Sequence, residues 1–115
     1  MVNEATFREI ALSFPEVVEE PHFEKKSFRI RGKIFATLST YEQRACLKLS
    51  VIDQSVFCSF KQSVIYPVAN KWGKQGWTLF ALAEIDKDLI QDALSTAYQE
   101  VVKKTNYRKR NSSPK

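Results

Sequence analysis

Between Phe7 and Phe14 apolar residues recur at the spacing of one helical face: Phe7, Ile10, Ala11 and Phe14 stand at i, i+3, i+4 and i+7. Asn3 suits the N-cap, Glu4 suits the positive first turn, and Pro15 ends the helix. The stretch EVVEEPHFE (16–24) lacks an apolar period and reads as an acidic connector. The period then becomes two. In SFRIRGKIFATL (27–38), Phe28 and Ile30 point one way and Arg29 and Arg31 the other; Ile34, Ala36 and Leu38 resume the alternation after Gly32. This predicts a hairpin turning at Arg31-Gly32-Lys33. RACLKLS (44–50) predicts a third strand, with Leu47 and Leu49 in the core and Lys48 on the other face.

Ser50 and Asp53 have capping-box spacing and open a second helix, expected to bury Val56, Phe57 and Phe60. VIYPVAN (64–70) predicts a short strand that Pro67 confines to an edge or an end. WTLFALAEI (77–85) predicts a longer one. Asp86 caps the last helix, whose inner face is Ile90, Ala93, Leu94, Ala97 and Val101, with Lys103 and Lys104 at its negative end. The order is α-β-β-β-α-β-β-α, an α+β fold with an antiparallel sheet covered by helices. TNYRKRNSSPK (105–115) has no core pattern and reads as a flexible basic tail, leaving one domain at 1–104.

Composition refines this picture in two places. The net charge of +5 is uneven: residues 103–115 hold six of the eighteen basic residues and no acid, leaving twelve against thirteen acids before them. Whole-chain basicity is therefore no argument for nucleic-acid binding. Cys46 and Cys58 form no CxxC or zinc spacing and read as reduced core thiols of a cytoplasmic protein. No apolar run approaches the roughly 20 residues of a membrane span, and MVNEATFREI has no apolar core of a secretory signal.

Three features bear on chemistry. Arg29, Arg31, Lys33 and Lys48, on one sheet face, fit a row of phosphates; they equally fit a solvated face whose cations discourage edge pairing. NKWGKQGWTLF (70–80) holds both tryptophans and two of the three glycines. Trp77, followed by Leu79 and Ala81, is expected in the core. Trp72, between Lys71 and Gly73, is expected at the surface, where it can stack on a base while Lys71 and Lys74 meet phosphate. Arg108, Lys109 and Arg110 make the tail either an electrostatic arm or a solubilising end. His22, the one histidine, stands beside Glu19, Glu20 and Glu24, short of a convincing ligand set, so no metal or other cofactor is expected. The chain has no P-loop, GxSxG or HExxH, and no cation adjoins Cys58, so no enzyme activity and no catalytic residue is expected.

The sequence of motifs is nonetheless specific. Phe14-Pro15-Glu16-Val17, Pro21-His22-Phe23, Ser27 through Ala36, Leu47-Lys48-Leu49, Tyr66-Pro67, Asn70-Lys71, Trp77-Thr78 and Ala97 through Val102 follow one another in an order that resembles the MmcQ/YjbR family of small bacterial proteins. The likeness spans roughly residues 3–104. It implies a CyaY-like (frataxin-like) fold and DNA binding, and no catalytic residues. In the family pattern two residues separate Asn-Lys from Trp; here five separate Lys71 from Trp77, so the loop is longer and richer in glycine. The expected function is weak, largely sequence-independent nucleic-acid binding through the basic sheet face, the Trp72 loop and the tail. The alternative is a non-enzymatic module for a protein or small ligand, with a site at the Trp72 loop and the acidic 16–24 segment. Acids that interrupt the basic face would favour that alternative.

Overall fold

The computed structural model describes the backbone of residues 1–111 and the side chains of residues 1–104. Its elements are α1 (Glu4–Leu12), β1 (Val17–His22), β2 (Lys25–Ile30), β3 (Lys33–Ser39), β4 (Arg44–Lys48), α2 (Val51–Cys58), β5 (Ile65–Pro67), the single turn α3 (Lys71–Lys74), β6 (Trp77–Ala81) and α4 (Lys87–Asn111). A 3-10 turn, Leu82–Glu84, leads from β6 toward α4. The fold is α+β, in the helix–strand order expected, with β1 and α3 added. One six-stranded antiparallel sheet runs β1-β2-β3-β4-β6-β5.

The caps are as expected. Asn3 Oδ1 accepts from the Thr6 amide, Ser50 Oγ from the Asp53 amide and Asp86 Oδ1 from the Leu89 amide. The hairpin between β2 and β3 turns at Arg31 (φ 53°) and Gly32 (φ 81°), the two consecutive positive values that match the twist of the flanking strands.

Several expectations need correction. The acidic connector is edge strand β1, paired with β2 from Val17 opposite Ile30 to His22 opposite Lys25. Backbone pairing places this segment where its side-chain pattern did not. The β2–β3 register slips between Phe28 and Arg29, so Phe28 faces Ala36 while Arg29 faces Ile34. The extra residue, Phe35, is buried beside Ala36, and Ile34 is only half-buried, which breaks the simple alternation. In α2 the inward residues are Gln54 and Phe57; Val56 and Phe60 are 63% and 58% exposed. In β6, Thr78 and Phe80 are buried, and Trp77 and Leu79 lie half-buried on the alternate positions. Trp77 is therefore not a core residue.

α4 packs against β3 and β4, and α1 against α4 and β1. Under them lie Phe28, Ala36, Leu38, Ala45, Leu47 and Phe80, with Ile90, Ala93, Leu94, Ala97 and Val101 of α4 as expected. An aromatic joint closes the layers: Phe14 stacks on Tyr98 at 4.9 Å, both meet Phe35 edge-on, and the Tyr98 hydroxyl donates to the Pro15 carbonyl. α2 sits beside β5 and α3 beside β6, at one edge. α4 runs on to Asn111, so Lys103 and Lys104 lie within it and not at its end. The side chains of the expected tail, 105–115, fall outside the described residues.

Candidate functional site

The expected cationic row does not stand as one unbroken patch. Arg29 Nε donates to Ser27 Oγ at 3.0 Å and lies 3.6 Å from the Glu20 carboxylate. Ser27, fully buried, in turn donates to the Glu20 carbonyl, which fixes the pair across β1 and β2. Arg31 sits in the hairpin turn, 3.5 Å from Glu16. Arg8 of α1 bonds Glu19 at 2.8 Å. Each acid thus comes from the segment 16–24, brought alongside the arginines by strand β1. Lys33 stands opposite Ile30 across the hairpin, so pairing puts it on a different face from Arg29.

What the topology does bring together is the end of the sheet where β2 and β4 finish and β3 and β6 begin. Lys33, Lys48 and the α3 pair Lys71 and Lys74 all lie at this end. Lys48 is half-buried; its Nζ donates to the Leu49 carbonyl at 3.1 Å, and it adjoins Lys104 and Glu100 of α4. Burial first, and then the neighbouring ammonium of Lys104, hold the Lys48 pKa below its ordinary value, with Glu100 opposing. Glu100 pairs with Lys104 at 3.3 Å. Arg108, Lys109 and Arg110 follow on the same helix, their side chains outside the described residues.

The Trp72 loop is built on this end by backbone geometry. Asn70 takes φ 129° and ψ −166°, a conformation that glycine alone adopts readily and that costs another residue about 1–3 kcal/mol. Its Oδ1 accepts from the Trp72 amide and its carbonyl from the Gly73 amide. Trp72 is 49% exposed, as expected, with the Lys71 ammonium 5.7 Å from its ring centroid. Lys74 is exposed, and no ion pair holds it among the described residues.

Pattern reading missed Gln54, which anchors this loop. Buried on α2, its amide nitrogen lies 2.9 Å from the Gly73 carbonyl, 3.2 Å from the Trp77 carbonyl and 3.1 Å from Thr78 Oγ1. A lone glutamine in VIDQSVFC carries no periodic signal, so only the approach of the loop reveals its role. Replacing Gln54 by leucine removes all three contacts; the Gly73 and Trp77 carbonyls keep the Gly76 and Val68 amides, but Thr78 Oγ1 loses its donor, and the change is expected to cost about 1–3 kcal/mol. Urea unfolding checks the value, and tryptophan emission reports whether the loop shifts with it.

Other groups offer less. Burial pushes the Cys46 thiol up to about 11 against the opposing Lys25 charge and Thr78 amide, so it stays protonated at neutral pH. His22 packs edge-on against Phe23 at 4.9 Å. A cavity of about 210 Å³ opens at the opposite end of the sheet, lined in part by Val2, Asn3, Leu38 and Ser39. Three of its polar side chains are engaged: Asn3 caps α1, Ser39 Oγ accepts from the Glu42 amide, and Glu4 pairs with Lys26. No helix among the described residues is long and apolar enough to cross a membrane.

Fold and site together define a small α+β protein with helices packed on one face of its sheet and cations gathered at one end. The chain belongs to the YjbR family, whose pattern it matches over residues 12–100. It is similar in fold to the crystal structure of Deinococcus radiodurans protein DR2400, a DUF419 protein, at a TM-score of 0.81 and 20% identity, over 99% of this chain and 91% of that one. No curated protein matches the sequence.

Proposed function

We propose that this protein is a non-enzymatic nucleic-acid binder of weak, largely sequence-independent affinity, and that its contact surface is the end of the sheet and not its face. The observation that carries this reading is the separation of charges. Arg29 and Arg31 are matched by Glu20 and Glu16, whereas Lys33, Lys71 and Lys74 have no carboxylate partner among the described residues and Lys48 faces Lys104, itself paired with Glu100. Two ammonium groups held together, one half-buried, lower the cost of bringing an anion beside them. An exposed indole in the same region supplies a stacking surface for a base, worth about 1–3 kcal/mol. The backbone of the basic residues 108–110 continues the same helix.

Fluorescence anisotropy with labelled single- and double-stranded DNA tests this at several salt concentrations. Affinity is expected to fall steeply with salt. Lys71→Gln with Lys74→Gln should reduce the log–log salt slope by about 1–2, near 1 per lost phosphate contact. Arg29→Gln should leave the slope unchanged. A variant with Arg108, Lys109 and Arg110 all changed to glutamine separates the contribution of the helix end from that of the folded domain.

A second reading has an observation of its own. Glu16 and Glu20 interrupt the arginines of the sheet, which favours a module for a protein or small ligand with no nucleic-acid role. Absence of DNA binding even at low salt would remove the first reading and leave the second.

A further inference from the structure

We infer that α2 is a self-association surface, on which a second copy of this chain packs antiparallel about a two-fold axis at Val56. The ridge is Ile52, Val56 and Phe60, at 77%, 63% and 58% exposure, with Val51 beside it at 59%. These residues stand four apart on the side of α2 opposite Gln54 and Phe57, and Phe60 extends the row past the C-cap through its amide bond to the Phe57 carbonyl. A row of side chains four apart is the ridge that meshes with a like ridge when two helices cross.

The occupant is argued from shape and charge. The row reads large, small, large in both directions. Antiparallel packing sets Ile52 of one copy against Phe60 of the other and brings the two Val56 side chains together at the axis, which is the self-complementarity a two-fold contact requires. Asp53 adjoins Ile52 and Lys61 adjoins Phe60. Neither has an ion-pair partner among the described residues. The antiparallel arrangement puts Asp53 of each copy across from Lys61 of the other, whereas a parallel one sets like against like. It also opposes the helix dipoles favourably. The ridge is short against the roughly 800 Å² per partner of a standard interface, so the dimer is weak and depends on concentration. None of its residues belongs to the proposed nucleic-acid surface, and the two readings stand or fall separately.

Sedimentation equilibrium of the full chain, from micromolar to millimolar concentration, is the test. The unaltered protein is expected to show a monomer–dimer equilibrium. Val56→Asp, at an exposed position that leaves the core intact, should weaken it at least about tenfold, because it buries like charges at the axis. Val56→Ser gives the same direction with less effect and serves if the aspartate disturbs folding. Asp53→Lys and Lys61→Asp should each weaken association, and the double variant should restore it. A monomer at every concentration overturns the inference, as does a dimer indifferent to Val56→Asp or a charge swap without recovery. A monomer that instead sediments with phosphatidylglycerol vesicles in a Val56-dependent way assigns the ridge to a lipid surface and equally overturns it.

Discussion

Gly76→Ala is expected to destabilise the domain by about 2–5 kcal/mol. Two independent costs add. Gly76 lies at φ 105°, where a Cβ costs about 1–2 kcal/mol. The Cβ would also collide with the Leu49 carbonyl, a backbone atom at the end of β4 that cannot turn aside. Relieving such overpacking by moving a strand costs about 1–3 kcal/mol more. The Leu49 amide already donates to the Gly76 carbonyl at 3.0 Å, so the two segments are fastened at the point of collision. Gly32→Ala supplies the control: its φ is 81°, but nothing lies within 4 Å of the added atom. It should lose only the conformational part, about 1–2 kcal/mol. At roughly 4 °C per kcal/mol for a domain of this size, thermal denaturation should separate the two by several degrees. Equal losses in the two variants would show that the approach of the Trp72 loop to β4 is not a rigid constraint.

Phe35→Ala is expected to cost about 3–5 kcal/mol, the range for removing a large aromatic from a core. Phe35 has no exposed surface and meets Phe14 at 6.4 Å and Tyr98 at 5.7 Å between ring centroids. Its loss opens a cavity where β3, the end of α1 and the middle of α4 meet. Phe23→Ala, at a position 94% exposed, should change stability by less than about 0.5 kcal/mol. Urea unfolding with a shared m-value measures both. A cost for Phe35→Ala under about 1 kcal/mol would mean that the rings collapse into the gap and that the joint does not hold the helices to the sheet.

The sheet-end site was half legible. Trp72 lies among charged and glycine residues with no apolar period, and that sufficed to expect it at the surface. The short range of side chain-to-backbone bonds made the caps at Asn3, Ser50 and Asp86 equally plain. The pairing of Arg29 with Glu20 and of Arg31 with Glu16 was not legible, because it requires knowing that 16–24 is a strand beside β2. Nor was the meeting of Lys48 with Lys104, residues 56 positions apart, since charge along the chain carries no record of which helix crosses which strand. Trp77 misled for a smaller reason. Both alternating sets in WTLFA contain large apolar residues, so the pattern alone does not say which set faces inward.

By itself the sequence determined the elements whose cause is local: the helical face of α1, the inner face of α4, the positive-φ turn at Gly32 and the class of fold that follows from their order. Tertiary structure alone decided the rest: that an acidic segment becomes an edge strand, that a bulge turns Phe35 inward, that α2 buries Gln54 and leaves Ile52, Val56 and Phe60 outside, and that four lysines lie at one end of the sheet. The physical reason is range. Capping, turn conformation and periodicity act within a few residues. Strand pairing, register and charge neutralisation depend on groups that only folding brings together.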